Sequence, residues 1–371
     1  MKVALVHDWL TNLGGGERVL AAFSEAYPDA PIYTSVYNPT DIDLFKKNTI
    51  RTSFLQNWPL AKKKHQLFPM LRTLAFESFD FSEYDVVLSS SSAEAKGIIT
   101  STETIHISYI HTPTRYYWSG YEQYLQSPGL GVFSPVAKLV LPRVVNKMRR
   151  WDFAAAQRPN ILIANSTTVQ ERILKYYQRT SQVIAPPVDF DRFRQASAEP
   201  KDYYLVVSRL IPYKRVDLAV KACSELNKEL VVVGNGPELK SLQKIAGPSV
   251  RFVENAIDKA VTQYYMDCKA FIMTAYEDFG ITPVEAMAAG RPVIAYGQGG
   301  AVDTIISGKT GLFYENQTIE SLKKAIELFE QCNYSSRYIK DHAEKFSKKH
   351  FIDNITKLVD VSISKKNVKK D

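Results

Sequence analysis

The sequence predicts an α/β protein with two doubly wound units, each made of a parallel sheet covered by helices. Short apolar runs of the kind that form buried strands alternate with helical segments along the chain. The pattern is interrupted by a proline-marked polar segment at residues 186–200 and then begins again. A chain of 371 residues is long enough for two hydrophobic cores. We therefore expect domains at residues 1–185 and 201–346 that face each other across a cleft and are joined by a linker at 186–200.

The composition is that of an ordinary globular protein with an excess of positive charge. Hydrophobic residues make up 45% and charged residues 23% of the chain. The net charge of +8 favours anionic partners such as phosphate groups or anionic lipids. Nucleic acid is the weaker candidate, because the chain has neither zinc-finger spacing nor an RNP motif. We expect no nucleic-acid partner.

Cysteine usage and hydropathy indicate where the protein works. Cys223, Cys268 and Cys332 are far apart and form no CxxC pair, which argues against a disulfide framework or a zinc site. No apolar run approaches the roughly 18–20 residues of a membrane span. The apolar start of the chain meets a polar pair at residues 7–8, too early for a signal peptide. We therefore expect a cytoplasmic protein.

The chain opens with a predicted strand at residues 3–6, a loop with Gly14, Gly15 and Gly16, and a helix. This order is typical of dinucleotide-type α/β units. The loop is not GxGxxG, and no acidic residue clearly ends a second strand about 20 residues later, so a nicotinamide site is poorly supported. We interpret the loop as one that lets a phosphate or substrate approach the backbone. A simple tight turn is the alternative.

Further strands of the first unit are predicted at residues 85–88, 105–110, 161–164 and 182–185. His111 directly follows the second of these, and Arg115 lies in the same loop. Ligands of open α/β sheets bind beyond the carboxyl ends of the strands, so His111 is a candidate site residue. A lone histidine is more often structural, and that alternative stays open.

Residues 50–81 combine apolar and aromatic side chains with a lysine cluster. This mixture suits attachment to an anionic bilayer surface. The alternative is that the apolar residues form a helix core and the lysines a solvated face. The residues concerned are Phe54, Trp58, Leu60, Leu67, Phe68, Met70, Leu71, Leu74 and Phe76, together with Lys62, Lys63, Lys64, His65 and Arg72.

The second half of the chain repeats the alternation of strands and helices. Strands are predicted at residues 204–208, 230–233, 250–253, 270–273 and 292–295, and helices at 216–226, 318–330 and 335–346. Arg209 and Lys214 lie on the loop after the first of these strands. An arginine offers a rigid fork for phosphate oxygens, and a lysine offers a point charge. Either one alone would be a routine surface charge.

Residues 276–290 form the most informative segment. Glu277 and Glu285 have the spacing E-x7-E, with the first on a loop and the second in the predicted helix that follows. A carboxylate is suited to the hydroxyls of a ribose or another sugar. The alternative is that Glu285 is only the last residue of a capping box and Glu277 a solvated loop acid.

This helix has clear predicted ends. Thr282 is the expected N-cap, Pro283 fits the first helical position, and Gly290 suits the position just beyond the end. A helix N-terminus attracts anions. Together with Arg209 and Lys214, the segment therefore predicts a pocket for a nucleotide diphosphate that carries a sugar. The amides expected at the helix start are those of Phe279, Gly280 and Ile281.

With these motifs, the chain resembles a GT-B glycosyltransferase of family 4, the retaining type, over nearly its whole length. The resemblance is carried by the GGGER loop at residues 14–18, residues 208–210 with Lys214, residues 234–237 and residues 277–290. Within the family the chain most resembles bacterial mannosyltransferases of O-antigen and polysaccharide assembly, through residues 111–118, 164–166 and 186–189. The resemblance implies two Rossmann-like domains, the first for the acceptor and the second for the donor. It also implies that a last helix, at about residues 347–371, packs back on the first domain.

The resemblance also implies roles for individual residues. Arg209 and Lys214 would hold the donor diphosphate, Glu285 the ribose and Glu277 the donor sugar, while His111 would lie beside the reacting sugar. Of these residues, Arg209, Lys214, Glu277 and His111 form the implied catalytic set. The remaining donor-side residues are Gly15, Gly16, Gly236, Ile257, Phe279, Gly280 and Ile281, and the acceptor-side residues are Asp8 and Arg115.

Two D-x-D patterns raise the question of a metal. The pattern at residues 41–43 looks like a helix start, and the one at 189–191 lies in the linker region. Carboxylates favour helix starts because they complement the helix dipole. The resembled family is also metal-independent. We therefore expect neither a metal nor a cofactor beyond the nucleotide-sugar co-substrate.

The leading hypothesis is a peripheral enzyme at the inner face of the plasma membrane, acting in cell-surface glycan biosynthesis. It would move mannose from GDP-mannose to a lipid-linked or polysaccharide acceptor. One alternative is a transferase that uses UDP-glucose or UDP-N-acetylglucosamine. Others are a nucleotide-sugar epimerase of the same fold and a non-catalytic protein that binds nucleotide sugars or membranes. No residue stands out as a covalent nucleophile, so Glu277 and Glu285 are not interpreted as a glycosidase pair.

Overall fold

A computed structural model describes residues 1–40, 42–59, 62, 68–126, 134–193 and 199–368. The chain divides into two units. Unit 1 comprises Met1–Pro186 together with Phe351–Asp371, and unit 2 comprises Pro187–His350. From Pro187 onward, the segment expected as a linker groups with unit 2.

Unit 1 is built on a seven-stranded sheet with the strand order β3-β2-β1-β4-β5-β6-β7. Every neighbouring pair is parallel. The order reverses between β1 and β4, and such a switch point is where open α/β sheets bind ligands. The strands are β1 Val3–His7, β2 Ile32–Thr34, β3 Ile50–Thr52, β4 Val86–Ser91, β5 Ile105–Ile110, β6 Ile161–Ala164 and β7 Gln182–Val183.

Among the described residues of unit 1, five helices lie between the strands. Helix α1 shows why they pack: Val19, Leu20 and Phe23 recur at helical spacing and are buried in one core with Leu5 and Leu88 of the sheet. The helices are α1 Gly15–Ala26, α2 Pro69–Glu77, α3 Tyr121–Gln126, α4 Ser134–Ala155 and α5 Thr167–Tyr177.

Unit 2 repeats the design with a six-stranded parallel sheet in the order β10-β9-β8-β11-β12-β13. Its switch point lies between β8 and β11. The central strands are continuous apolar runs, as expected where helices cover both faces of a sheet. The strands are β8 Tyr204–Val207, β9 Leu230–Val233, β10 Val250–Val253, β11 Ala270–Met273, β12 Val293–Tyr296 and β13 Gly311–Tyr314.

The helices of unit 2 follow its strands in the same way. In α11, Thr318 Oγ1 accepts a hydrogen bond from Ser321 N at 3.2 Å and caps the helix. Leu322, Ile326 and Phe329 then bury one face of α11. The helices are α6 Val216–Glu225, α7 Leu239–Ile245, α8 Asp258–Asp267, α9 Ile281–Ala288, α10 Ala301–Thr304, α11 Ile319–Phe329 and α12 Ser336–Ala343.

The last helix, α13 Lys348–Val368, belongs to unit 1 from Phe351 onward. Phe351, Ile355 and Val359 recur every four residues and are buried in the core of that unit. The ring of Phe351 stacks on Phe23 of α1 with 5.7 Å between the ring centroids. The C-terminal segment therefore completes the hydrophobic core built by the start of the chain.

Two doubly wound parallel sheets confirm the predicted fold class. The predicted strands agree with the observed ones to within a few residues. Three strands were not predicted, β2, β3 and β13, and each has only three or four residues.

Among the described residues of the range 50–81, the structure has β3, a 3₁₀ turn at Phe54–Asn57 and α2. The predicted surface residues Leu60, Lys63, Lys64, His65 and Leu67 lie outside the described residues. Within the described part of the chain, no helix is both long enough and apolar enough to cross a bilayer.

Candidate functional site

The loops that leave β8 and β11 meet at the switch point of unit 2. The first ends in a 3₁₀ turn, Pro212–Lys214, and the second carries Glu277. The Lys214 ammonium group donates a hydrogen bond to Glu277 Oε1. Both side chains are 18% exposed, so the pair is shielded from bulk water yet still accessible to a ligand.

Backbone contacts hold this pair in place. Thr274 Oγ1 donates to Lys214 O at 2.8 Å and ties the loop after β11 to the loop after β8. Gln317 Nε2 in turn donates to Thr274 O at 2.8 Å. Lys214 and Glu277 are therefore positioned by hydrogen bonds that do not depend on their own ion pair.

A pair of glycines after β12 supports the Glu277 loop. Gly300 N donates to Glu277 O at 2.9 Å. A Cβ atom on Gly299 would lie 2.4 Å from Glu277 O, and one on Gly300 would lie 2.3 Å from Phe279 O. Only glycine allows the two loops to pass this closely.

Helix α9 begins two residues earlier than predicted. Gly280, with φ at +86°, is the N-cap, so the assignment of Thr282 as N-cap and Pro283 as first helical residue was wrong. Glycine adopts this left-handed backbone without strain, and the chain therefore turns into the helix before it reaches Thr282. The other end is as predicted. Gly290 N donates to Met287 O at 2.8 Å at the end of the helix.

At the start of α9, backbone groups rather than side chains are available to a ligand. Gly280 has no side chain, and no side-chain cap is present at this helix start. Phe279 is 4% exposed, and its ring packs on Phe346 at 5.8 Å, so only its backbone faces the loop. Ile281 is half-buried. A helix start without a side-chain cap leaves amide groups for an anion.

Glu285 lies one turn into α9 and is nearly buried, with 8% of its side chain exposed. Tyr265 OH donates to Oε2 at 3.0 Å, and Arg192 Nη1 donates to Oε1 at 3.4 Å. Burial, and after it the charge of Glu285, raises the pKa of Tyr265 well above its usual value. The Tyr265 hydroxyl therefore stays protonated and donates the hydrogen bond. With Gly280 as N-cap, the third helical position is Pro283, so Glu285 is not a capping-box residue.

The other donor-side residues surround the same end of the sheet. Arg209 is exposed on the loop after β8, and its Nη2 lies 3.3 Å from Tyr213 OH. A Cβ atom on Gly236 would lie 2.2 Å from Leu210 O, so any larger residue at this position would clash with the backbone. Ile257 is 71% exposed on the loop between β10 and α8.

In unit 1 the glycine loop and His111 come together at the switch point between β1 and β4. His111 follows β5 and is half-buried. A Cβ atom on Gly16 would lie 3.4 Å from His111 Nε2 and 3.3 Å from the ring of His7. Gly16 therefore admits two imidazole rings at the start of α1, while the neighbouring Gly15 is exposed.

The structure gives Asp8 a structural role. Asp8 is 2% exposed, and its carboxylate accepts hydrogen bonds from the backbone amides of Ser92, Ala93 and Ala95 at 2.6, 3.0 and 2.7 Å. Both carboxylate oxygens thus stabilise the loop after β4. Arg115 is half-buried in the turn after β5.

A buried polar network, not suggested by the sequence, fixes the loop after β5. Asp152 of α4 accepts hydrogen bonds from Lys96 Nζ at 2.6 Å, Thr114 Oγ1 at 2.7 Å, Trp118 Nε1 at 2.7 Å and Tyr177 OH at 2.8 Å. Lys96 and Asp152 are 1% and 0% exposed. A buried ion pair requires such complete hydrogen bonding, and here it holds the segment that follows His111.

Comparison with known proteins identifies the domain that carries the pair of Lys214 and Glu277. Residues 187–347 match the family model of glycosyl transferases group 1. These residues belong to the group 1 glycosyltransferase family. They coincide closely with unit 2 and are called the group 1 domain below.

Curated relatives match part of the chain. The GDP-mannose-dependent alpha-(1-6)-phosphatidylinositol monomannoside mannosyltransferase of Mycolicibacterium smegmatis is 29% identical, over 38% of this chain and 45% of its own length. The D-inositol 3-phosphate glycosyltransferase of Streptomyces avermitilis is 30% identical, over 47% of this chain and 44% of its own length. The chain thus spans about half the length of the curated relatives it matches.

Solved structures match almost the whole chain. Anabaena HepE, crystallised in complex with UDP, superposes with a TM-score of 0.72 at 18% identity, covering 97% of this chain and 100% of that one. The sucrose-phosphate synthase of Thermosynechococcus elongatus gives a TM-score of 0.73 at 15% identity, covering 98% and 100%. With its two Rossmann-like units, the chain has the GT-B fold, which confirms the fold that the resemblance implied.

Several contacts of the group 1 domain were missed by sequence reasoning. Gly299 and Gly300 follow a predicted strand, and that position was a usable signal for a close backbone approach. The sequence around Tyr265 and Arg192 gave no indication that these side chains contact Glu285. They lie 20 and 93 residues from Glu285 in sequence and reach it only through folding.

The D-x-D patterns have structural contacts. Asp189 Oδ1 accepts a hydrogen bond from Asp191 N at 3.2 Å, at the start of a 3₁₀ turn. Asp41 lies outside the described residues, and Asp43 pairs with Lys46 at 2.5 Å. Within the described ranges, no group of three or more His, Cys, Asp or Glu side chains is placed to hold a metal ion.

A hollow of about 800 Å³ in the group 1 domain lies at the opposite end of its strands. Its cations are already engaged: Lys201 pairs with Asp267 at 2.7 Å, and Lys228 with Glu330 at 3.1 Å. Open α/β sheets bind ligands at the carboxyl ends of their strands, so we place the site at the pair of Lys214 and Glu277 instead. The lining includes Lys201, Tyr204, Lys228, Glu229, Arg251 and Asp267.

Proposed function

We propose that the chain is a retaining glycosyltransferase that moves mannose from GDP-mannose to a lipid-linked or polysaccharide acceptor. The observation that carries the proposal is the contact between Lys214 and Glu277 at the switch point of unit 2. The loop of Glu277 leads directly into the start of α9. A cation, a carboxylate and helix amides thus occur on adjoining loops, and a sugar diphosphate requires these three kinds of group.

Transfer breaks the bond between the anomeric carbon and a phosphate oxygen, and negative charge develops on the departing diphosphate. Fixed positive groups stabilise that charge. Arg209 and Lys214 are the proposed cations, and the N-terminus of α9 adds partial positive charge. An ammonium group has three N–H donors, so Lys214 keeps its bond to Glu277 while it donates to phosphate.

The two glutamates have separate proposed roles. Glu277 binds hydroxyls of the donor sugar, and Glu285 binds the ribose hydroxyls. Glu285 is oriented by Tyr265 and Arg192, and its buried position favours a fixed carboxylate over a mobile one. His111 is the residue of unit 1 that we propose contacts the reacting sugar. The acceptor attacks from the side that the diphosphate leaves, which retains the anomeric configuration.

The choice of mannose is supported by curated relatives that are named as GDP-mannose-dependent mannosyltransferases. A UDP-sugar is the second candidate, because the similar Anabaena structures hold UDP or UDP-glucose. In either case the exposed loop at Ile257 is proposed to face the base. The reaction requires no metal in this proposal.

The transfer reaction is tested with GDP-mannose labelled in the mannose and a bacterial membrane lipid extract as the source of acceptor. We expect label in the lipid fraction, or slow release of free mannose when the extract is omitted. UDP-glucose labelled in the glucose, run in parallel, decides between the two donors. Absence of both transfer and hydrolysis with every donor would count against the proposal.

We also propose that unit 1 docks on an anionic membrane surface at the cytoplasmic face. Among the described residues of the segment after β3, apolar side chains are exposed at Phe54 (45%), Trp58 (45%), Met70 (43%) and Leu74 (53%). Lys62, in the same stretch, is exposed as well. Exposed apolar groups next to cations favour an anionic interface.

Liposome flotation tests the docking surface. The double variant Trp58→Ser, Leu74→Ser should lose binding to liposomes that contain phosphatidylglycerol. The matched control is Leu328→Ser, which removes an apolar side chain that is 54% exposed in unit 2. Equal flotation of the double variant and the native protein would exclude this surface.

A further inference from the structure

Arg72, which the sequence grouped with the cations of a membrane-facing stretch, is buried in the structure. Arg72 on α2 is 1% exposed, and Glu94, which follows β4, is 0% exposed. Arg72 Nη2 donates hydrogen bonds to Glu94 Oε1 at 2.9 Å and to Tyr116 OH at 3.2 Å. The guanidinium group also lies over the ring of Trp9, 5.2 Å from the ring centroid. Among the described residues, this one group thus contacts side chains from three loops.

These three loops follow neighbouring strands at the switch point of unit 1. Trp9 follows β1, Glu94 follows β4 and Tyr116 follows β5, and the three strands are adjacent in the sheet. The same loops carry Asp8 and His111. Because the carboxyl ends of parallel strands meet at one edge of a sheet, Arg72 reaches all three loops from a single helix.

The backbone around Glu94 is itself held in place. The Asp8 carboxylate accepts hydrogen bonds from the amides of residues 92, 93 and 95, on both sides of Glu94. The ion pair is less completely bonded: in the part of the chain that the structure describes, Arg72 Nε, Arg72 Nη1 and Glu94 Oε2 have no hydrogen-bond partner. Replacing a buried ion pair by apolar residues of similar volume is often neutral or stabilising. The positions of the loops can therefore be tested separately from stability.

We propose that Arg72 and Glu94 are positioning residues that hold the loops after β1, β4 and β5 in the arrangement needed for transfer. The proposal rests on the proposed function in one respect, that these loops and His111 meet the reacting sugar. Its physical basis is the planar guanidinium group, whose donors point in fixed directions and whose face stacks on aromatic rings. A displacement of about 1 Å at a reacting centre costs roughly 10²-fold in rate.

The contact is strongest when Glu94 is ionised, because a hydrogen bond between two charged groups is stronger than one to a neutral acid. Burial raises the pKa of Glu94 to about 7, although the charge of Arg72 acts in the opposite direction. The other titratable groups that face Glu94 come from the loops after β1, β4 and β5 and from α4: Asp8, Lys96, Tyr116, Tyr117 and Asp152. Arg72 should therefore hold the loops most firmly above a pH of about 7.

The direct test is hydrogen exchange in the double variant Arg72→Met, Glu94→Met, which removes the contact without leaving a buried charge unpaired. Methionine is unbranched and fills irregular gaps, so the melting temperature should stay near that of the native protein. The amides of residues 92–95 should exchange faster by roughly tenfold or more, because the loop after β4 opens more easily. Glu77→Gln is the matched control. Glu77 is also on α2, but its partner, Arg158 at 2.7 Å, follows α4, so exchange of residues 92–95 should stay native.

Tyr116→Phe is a milder variant that decides the outcome if the double variant does not fold. It removes the hydroxyl group that accepts from Arg72 and leaves the ion pair in place. Exchange should become faster in the loop after β5. Native exchange in every variant that folds would overturn the proposal.

Transfer kinetics give a second readout. The double variant should lower kcat by roughly 10²-fold and keep the native KM for the donor, since the proposed donor contacts are in unit 2. The ratio of native to double-variant kcat/KM should increase as the pH rises through about 7 and Glu94 ionises. Native kcat in the double variant, or a ratio that does not change with pH, would contradict the proposal. Hydrogen exchange needs no donor, so the expected exchange in a native protein that transfers no sugar would reject the proposed function instead.

Discussion

Lys214 and Glu277 lie on loops from the two strands that flank the switch point of unit 2, and their side chains are hydrogen-bonded to each other. Both side chains are 18% exposed, which shields the pair from bulk water. The contact with Thr274 holds the Lys214 backbone whether or not the pair forms. The position of the Lys214 backbone therefore does not depend on the pair, in keeping with the proposed role of both side chains in ligand binding.

Glu277→Gln should lower the turnover of transfer by roughly 10²-fold or more, because it removes the carboxylate that we propose binds the donor sugar. Glutamine keeps the shape of the side chain, so the loss of stability should be smaller than the roughly 2.7 kcal/mol that a 10²-fold loss of turnover represents. Transfer kinetics and urea unfolding measure the two effects. Glu225→Gln is the control, since it removes a similar partner from Lys323, at 2.8 Å, on the surface. A loss of turnover that follows an equal loss of folded protein would argue for a structural role only.

Arg209→Ala should reduce turnover by roughly 10²–10³-fold, the effect of losing one group that stabilises developing charge. Because the Arg209 side chain is exposed, its removal should leave the fold intact. Arg251→Ala, at the opposite end of the sheet, removes an equally basic exposed side chain and should keep native turnover. Native turnover in Arg209→Ala would remove its role at the diphosphate.

Gly300→Ala should cause a larger loss of activity than of folding stability. The added Cβ atom would lie 2.3 Å from Phe279 O, so the Glu277 loop must move. A displacement of about 1 Å at a reacting centre costs roughly 10²-fold in rate. Gly308→Ala is the control: it has φ at +75° but no atom within 4 Å, so it should lose about 1 kcal/mol of stability and no activity. Comparable activity of the two variants would show that the close approach is unimportant.

His106 should make the stability of unit 1 depend on pH. Burial, assisted by the charges of Arg158 and Arg179, lowers its pKa to about 3, whereas an unfolded histidine has a pKa of about 6.5. Between these values the unfolded chain binds a proton that the folded protein does not. The stability from neutral His106 is therefore complete above pH of about 6.5 and is lost as the pH falls toward 3, by up to about 1.4 kcal/mol per unit.

Urea unfolding between neutral pH and mildly acidic pH measures this slope. His106→Gln should be less stable at neutral pH but should show a flatter loss on acidification. His350→Gln, at an exposed histidine, should keep the native slope. The interpretation fails if native protein and His106→Gln lose stability in parallel.

Much of the fold was predictable because buried parallel strands are continuous apolar runs. Leu230–Val233 and Ala270–Met273 were predicted with their observed bounds. Ile32–Thr34, Ile50–Thr52 and Gly311–Tyr314 were not, because each is short and has polar or small residues. Such strands are defined by pairing with their neighbours, which is a long-range property.

The candidate site divides in the same way. Glu277, Glu285, Arg209 and Lys214 were found because their motifs are local in sequence. The contact of Glu285 with Arg192 spans 93 residues, and that of His7 with Ser90 spans 83. Local spacing carries no information about such contacts, so the supporting residues of both switch points emerged only from the structure.

The measurement that tests the central claim most directly is the melting temperature of the protein with a panel of nucleotide sugars. A ligand that binds only the folded state stabilises it by about 2.7 kcal/mol at 100 times its Kd. GDP-mannose should raise the melting temperature of the native protein more than UDP-glucose does, and the increase should disappear in Arg209→Ala. An unchanged melting temperature with every nucleotide sugar, GDP-mannose included, would contradict the assignment of this site.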